Sequence, residues 1–167
     1  MPPPQIHSKA RVESVLADLG LSLPPPAKPV AAYIPTRRSG DLIYVSGQIP
    51  VVEGKLLAEG LVPTQVTEEM AQQCARRCIL NALAAVLAEI ESDEGIAMVV
   101  RIGCFVACTP DFTMHPKIAN GASELLVQVL GDEGRHARAA VGCPSLPLNA
   151  PVEIEMIVRV AKIDSTD

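Results

Sequence analysis

Two clusters of ionisable residues near the C-terminal end have the types and spacing for chemistry. Arg135, His136 and Arg138 enter a run that is otherwise apolar, Ala139-Ala140-Val141-Gly142-Cys143. A guanidinium at the mouth of a buried strand is costly unless it meets an anion, and its planar fork fits a carboxylate through two parallel hydrogen bonds. Pairing with an internal Glu explains such an arginine equally well. Glu153 and Glu155 alternate with Val152, Ile154 and Met156, so on a strand both acids share one face. On a face closed off from bulk water, a carboxylate can orient a water molecule or move a proton; on an open face it is simply solvated.

Other chemistries find less support. The chain has no GxSxG elbow, no GxxxxGK[ST] phosphate loop, no HExxH and no glycine-rich dinucleotide turn. The three histidines, at 7, 115 and 136, are scattered along the chain. The five cysteines, at 74, 78, 104, 108 and 143, form no CxxC pair and do not combine with histidine at zinc-finger spacing. They read as small buried hydrophobes in a reduced, cytoplasmic setting. Neither a metal nor an organic cofactor is expected.

The elements that position these groups follow from periodicity and punctuation. Ser8 caps a first helix carrying Val12, Val15, Leu16 and Leu19 and ending at Gly20. Pro24-Pro25-Pro26 and Pro29 then make an extended connector, because no helix continues through that density of proline. Strands are expected over 31–37 and 42–46, around the turn Ser39-Gly40-Asp41, with short strands in 51–62 around Glu53-Gly54. A long helix over 67–91 starts at Thr67, with Glu68 and Glu69 at the positive end of its dipole. Its wide apolar face suits packing on a sheet. A buried strand over 97–108, a helix over 115–130, and strands near 137–143 and 151–161 complete the order. The fold class is α+β, two helices on one face of a sheet plus an extra N-terminal helix. Because 97–108 is apolar on both faces, the uncovered face needs a partner, and self-association is the simplest one.

Composition narrows the function further. The chain has 167 residues, 49% of them apolar and 20% charged, and can bury roughly two-thirds of its unfolded surface in one core. A net charge of −5 with two Tyr, two Phe and no Trp gives neither a basic footprint for nucleic acid nor stacking platforms for bases. Asn81 and Arg101 interrupt the apolar stretches well short of the roughly 20 residues of a membrane span. The N-terminus lacks the basic and apolar regions of a signal peptide.

Leu42-Ile43-Tyr44-Val45-Ser46-Gly47-Gln48-Ile49-Pro50 resembles the SGQ strand of the RidA/YjgF family, the reactive-intermediate deaminases once described as L-PSP endoribonucleases. Arg138-Ala139-Ala140-Val141, then Leu146-Pro147, then Val152-Glu153-Ile154-Glu155 is similar to that family's C-terminal signature in order and spacing. The resemblance spans about 28–162. It divides the chain into an N-terminal extension, 1–27, with a short helix and Pro-rich connector, and a RidA/YjgF-like domain, 28–163.

The resemblance implies a chorismate mutase-like mixed sheet, assembled as a homotrimer with clefts between subunits. It implies that Arg138 holds a substrate carboxylate and that Glu153 places water. Tyr33, fifteen residues before Gln48, would border the cleft, and Ser46, Gly47 and Asn120 would line it. The implied reaction is hydrolytic deamination of enamines and imines of the 2-aminoacrylate type to 2-keto acids and ammonia. The partner would be a small carboxylate-bearing metabolite, with no nucleic acid or membrane. Two alternatives remain at this point: a non-catalytic carboxylate-binding regulatory trimer, and, against the acidity of the chain, RNA cleavage. Ala140 stands where many of the deaminases carry cysteine, and His115-Pro116 with Asn120-Gly121-Ala122-Ser123 marks a separate branch.

Overall fold

The computed structural model describes residues 5–26 and 32–163. In chain order the elements are β1 (His7–Ser8), α1 (Lys9–Asp18), β2 (Thr36–Ser39), β3 (Leu42–Gln48), β4 (Val51–Val52), β5 (Lys55–Leu56), α2 (Glu68–Glu89), β6 (Glu94–Ala107), α3 (His115–Leu130), β7 (Ala137–Cys143) and β8 (Val152–Lys162). The main sheet runs β6-β8-β3-β2, and β1 and β7 share the outer edge of β6. β7 lies parallel to β6 and every other pairing is antiparallel, so the sheet is mixed.

Alternation along β8 explains how the layers form. Val152, Ile154, Met156, Val158 and Val160 are buried, whereas Glu153, Glu155, Ile157 and Arg159 between them point to the opposite face. The buried set joins Ile43 and Val45 of β3 and Ile102, Cys104 and Val106 of β6 beneath α2 and α3. α2 begins as expected, with the Thr67 side chain accepting from the Met70 amide and Glu68 and Glu69 in the first turn. α3 opens with Pro116, whose missing N–H is no loss in a first turn. α1 packs on α3 through Val12 and Leu16 rather than adding a layer. All five cysteines are free; four are buried and Cys143 is partly so.

Two expectations are corrected. The strand expected over 31–37 is instead Thr36–Ser39; residues 32–35 lie outside the ladder, and residue 31 lies outside the described residues. Pro35 has no N–H to donate and sits before the ladder. The second is β1, which the sequence reading placed between a loose lead and a helix cap. His7 and Ser8 pair with Ile96 and Gly95, so the N-terminal segment joins the main sheet. No helix among the described residues is long and apolar enough to cross a membrane.

Candidate functional site

The face of the sheet without helices carries a groove of about 440 Å³. Its rim is set by two hydrogen bonds to one serine: the Ser46 hydroxyl donates to the Ile34 carbonyl at 2.7 Å, and the Ser46 amide donates to the Pro35 carbonyl at 2.9 Å. These hold the segment before β2 against β3 and bring Tyr33, 55% exposed, to the groove wall. Arg101 on β6 and Glu155 on β8 pair at 2.8 Å along its floor, and Arg37 and Tyr44 are among the other lining residues. The sequence reading missed Arg37 and Arg101. Arg101 was legible as a charge inside an apolar run, a signal used only against a membrane span.

Glu153 stands beside this groove. The β3–β8 register shifts between Val45 and Gln48, a bulge that brings Gly47 over β8. A Cβ at position 47 would overlap the Glu153 carboxylate, with Cδ at 2.8 Å and Cγ at 3.1 Å, so the missing side chain makes the space that the acid fills. Burial, and secondarily the Glu155 charge two residues on, push the Glu153 carboxyl above its ordinary value. Such a carboxylate is a better base than a free one.

Arg138 is placed differently. On the β6–β7 ladder it stands opposite Ile102, on the helix-bearing side, whereas Glu153 shares its rung with Phe105 on the other face. Its Nη1 donates to Asn120 Oδ1 at 2.9 Å and to Ser123 Oγ at 3.0 Å, both on α3. Among the described residues no carboxylate pairs with it. The side chain is exposed at the sheet edge. Within one chain, then, Tyr33, Ser46, Gly47 and Glu153 form one group, and Arg138 with Asn120 forms another on the opposite face. Ser123, which the sequence reading gave no role, and His136, which it placed in the cluster with Arg138, complete the second group: Ser123 Oγ lies 3.0 Å from His136 Nε2, and His136 Nδ1 lies 2.6 Å from the Gly134 carbonyl. Nowhere among the described residues do three His, Cys, Asp or Glu side chains converge as metal ligands would.

Residues 13–160 match the family model described as "YjgF/chorismate_mutase-like, putative endoribonuclease". The chain belongs to the YjgF family. Protein TCP17 of Trypanosoma cruzi is 36% identical over 156 residues, 93% of this chain and 98% of that one. Among solved structures, Atu1372 from Agrobacterium tumefaciens, a protein described as of unknown function, is 44% identical with TM-score 0.83, covering 91% of this chain and 94% of that one. A structure from Shewanella oneidensis MR-1 described as a putative endoribonuclease is 31% identical with TM-score 0.84, covering 89% and 98%. The YjgF match starts inside α1 and ends inside β8, and the mixed sheet backed by two helices is the expected YjgF/chorismate mutase-like fold.

Proposed function

We propose that this chain hydrolyses small enamines and imines of the 2-aminoacrylate type to 2-keto acids and ammonia, in clefts between the subunits of a homotrimer. The observation that carries the reading is Arg138: an exposed guanidinium whose described partners are neutral oxygens, with its Nε and Nη2 donors turned to no protein carboxylate. A cation held in place and left without a counter-charge is a seat for a substrate anion.

In this reading Arg138 of one subunit binds the substrate carboxylate, which removes much of the entropic cost of orientation. Glu153 of a neighbouring subunit takes a proton from water as the oxygen attacks the C=N carbon. An enamine first becomes the imine by taking a proton at its β-carbon and losing one from nitrogen. Once water has added, the proton held by Glu153 passes to the nitrogen. The carbinolamine hydroxyl gives its own proton to that nitrogen as its C–O bond becomes C=O, the C–N bond breaks, and ammonia leaves with the 2-keto acid. Tyr33 and the Gly47 amide steady the developing charge, and Ser46 holds the Tyr33 segment in place. Two subunits are invoked because Arg138 and Glu153 occupy opposite faces of one sheet. The five free thiols suit a reducing compartment such as the cytoplasm.

The test couples the purified protein to a pyridoxal-phosphate dehydratase that releases 2-aminoacrylate and follows ammonia. Faster release that Arg138→Ala abolishes is the expected result. Thermal stabilisation by pyruvate with no change in rate would replace catalysis with carboxylate sensing. No Arg138-dependent response in either assay would overturn both readings.

A further inference from the structure

The hydrogen bonds around Arg138 specify which edge of the guanidinium is on offer. Arg138 has five N–H donors, and the two on Nη1 are taken by Asn120 Oδ1 and Ser123 Oγ. An end-on carboxylate needs one hydrogen from each terminal nitrogen and would have to break one of these bonds. A side-on carboxylate needs Nε–H and Nη2–H, which have no partner among the described residues. The direction of the Ser123 bond is set from behind. His136 Nδ1 faces the Gly134 carbonyl at 2.6 Å and must carry a hydrogen to donate there, so Nε2 of the neutral ring bears the lone pair. Ser123 gives its only hydrogen to that lone pair at 3.0 Å and can meet Arg138 only as an acceptor. Burial lowers the His136 pKa below its ordinary value; the bond to the Gly134 carbonyl opposes that shift and the nearby Arg138 charge adds to it, so the ring is neutral at physiological pH.

We infer that Asn120, Ser123 and His136 are positioning residues that hold Nη1 of Arg138 from behind, so that the protein accepts a small monocarboxylate side-on through Nε and Nη2. The inference rests on the reading of Arg138 as the carboxylate anchor and adds the geometry of that seat. Lysine cannot replace the arginine here, because a point charge has no planar edge with two parallel donors. The relay also explains two sequence features outside the family signature: Ser123 lies one helical turn after Asn120, and His136 lies just ahead of the strand, two residues before Arg138.

The experiment titrates pyruvate into the wild-type protein and into Arg138→Ala, Arg138→Lys, Ser123→Ala, Ser123→Thr and Asn120→Asp, reading Kd by calorimetry. It also reads the His136 tautomer from imidazole nitrogen shifts. Expected are loss of binding in Arg138→Ala and Arg138→Lys, a Kd raised on the order of tenfold in Ser123→Ala, and recovery in Ser123→Thr. Asn120→Asp should abolish binding, because a carboxylate on Nη1 neutralises the guanidinium from behind and repels the substrate anion. The imidazole should carry its hydrogen on Nδ1. Wild-type affinity in Ser123→Ala and Arg138→Lys, with binding lost only in Arg138→Ala, would overturn the seat and leave the anchor standing. Unchanged binding in Arg138→Ala, or no saturable binding by the wild-type protein, would overturn both.

Discussion

Gly47→Ala separates folding from catalysis. The added Cβ would overlap the Glu153 carboxylate, and Cδ and Cγ of that side chain lie at 2.8 and 3.1 Å from it. The neighbour is the far end of a flexible side chain, so the acid moves and the backbone stays. Its oxygen must retreat by more than about 1 Å, and a misplacement of about 1 Å in a reacting group lowers the rate on the order of 100-fold, or about 2.7 kcal/mol of transition-state stabilisation. Folding changes far less. Gly47 is not among the residues with positive φ, so alanine fits the backbone and restricts the unfolded chain, a gain of about 0.4–1 kcal/mol. Pushing Glu153 off its rotamer costs about 0.5–1.5 kcal/mol. The two nearly cancel, so the melting temperature should move by no more than about 4 °C. Dehydratase-coupled ammonia release and a thermal melt on one preparation check both halves. Wild-type turnover in a folded Gly47→Ala protein would refute the placement of Glu153 at the reacting centre.

Glu153→Gln should melt no lower than the wild type at pH 7 while losing turnover. The Glu153 carboxyl is raised by burial and by Glu155, so its charged form opposes folding once the pH exceeds its pKa, and the amide removes that opposition. Glu94 works the other way. Arg38 grips it with two bonds of 2.7 Å and the Glu91 amide adds a third at 3.1 Å, which hold its pKa down to about 2 from 4.5. Its contribution is present above pH 4.5 and fades as the pH falls towards about 2, so Glu94→Gln should flatten that limb of a stability–pH curve. The partly exposed Arg38 moderates the loss to about 1–3 kcal/mol at pH 7, measured by urea unfolding. Leu125→Ala, at a fully buried position on α3, should cost about 2–5 kcal/mol in the same assay.

Much of this architecture was legible because it is encoded locally. Alternation along 152–160 assigned Glu153 and Glu155 to one face, and the Thr67 cap with its two glutamates located α2. Non-local contacts were not legible. Tyr33 reaches the groove only because the Ile34 and Pro35 carbonyls bond to Ser46, a tether that hydropathy does not show. The Gly47–Glu153 fit depends on a bulge between strands distant in sequence. β1 was hidden because two residues carry no periodicity. The opposite facing of Arg138 and Glu153 follows from the parallel β6–β7 register, which no feature of residues 137–143 announces. Ser123 carried no signal and His136 stood out only beside Arg138; the meeting of α3 with the start of β7 makes them a relay.

Mixing two inactive proteins tests the account most directly. Arg138→Ala and Glu153→Gln chains, each assembled alone, should release no ammonia beyond the dehydratase background. Co-refolded in equal amounts, they should form assemblies in which an intact Arg138 of one chain faces an intact Glu153 of the next. About a quarter of the clefts would then be whole, and about a quarter of wild-type activity should return. A mixture that assembles normally and stays as inactive as its parents would contradict the shared site.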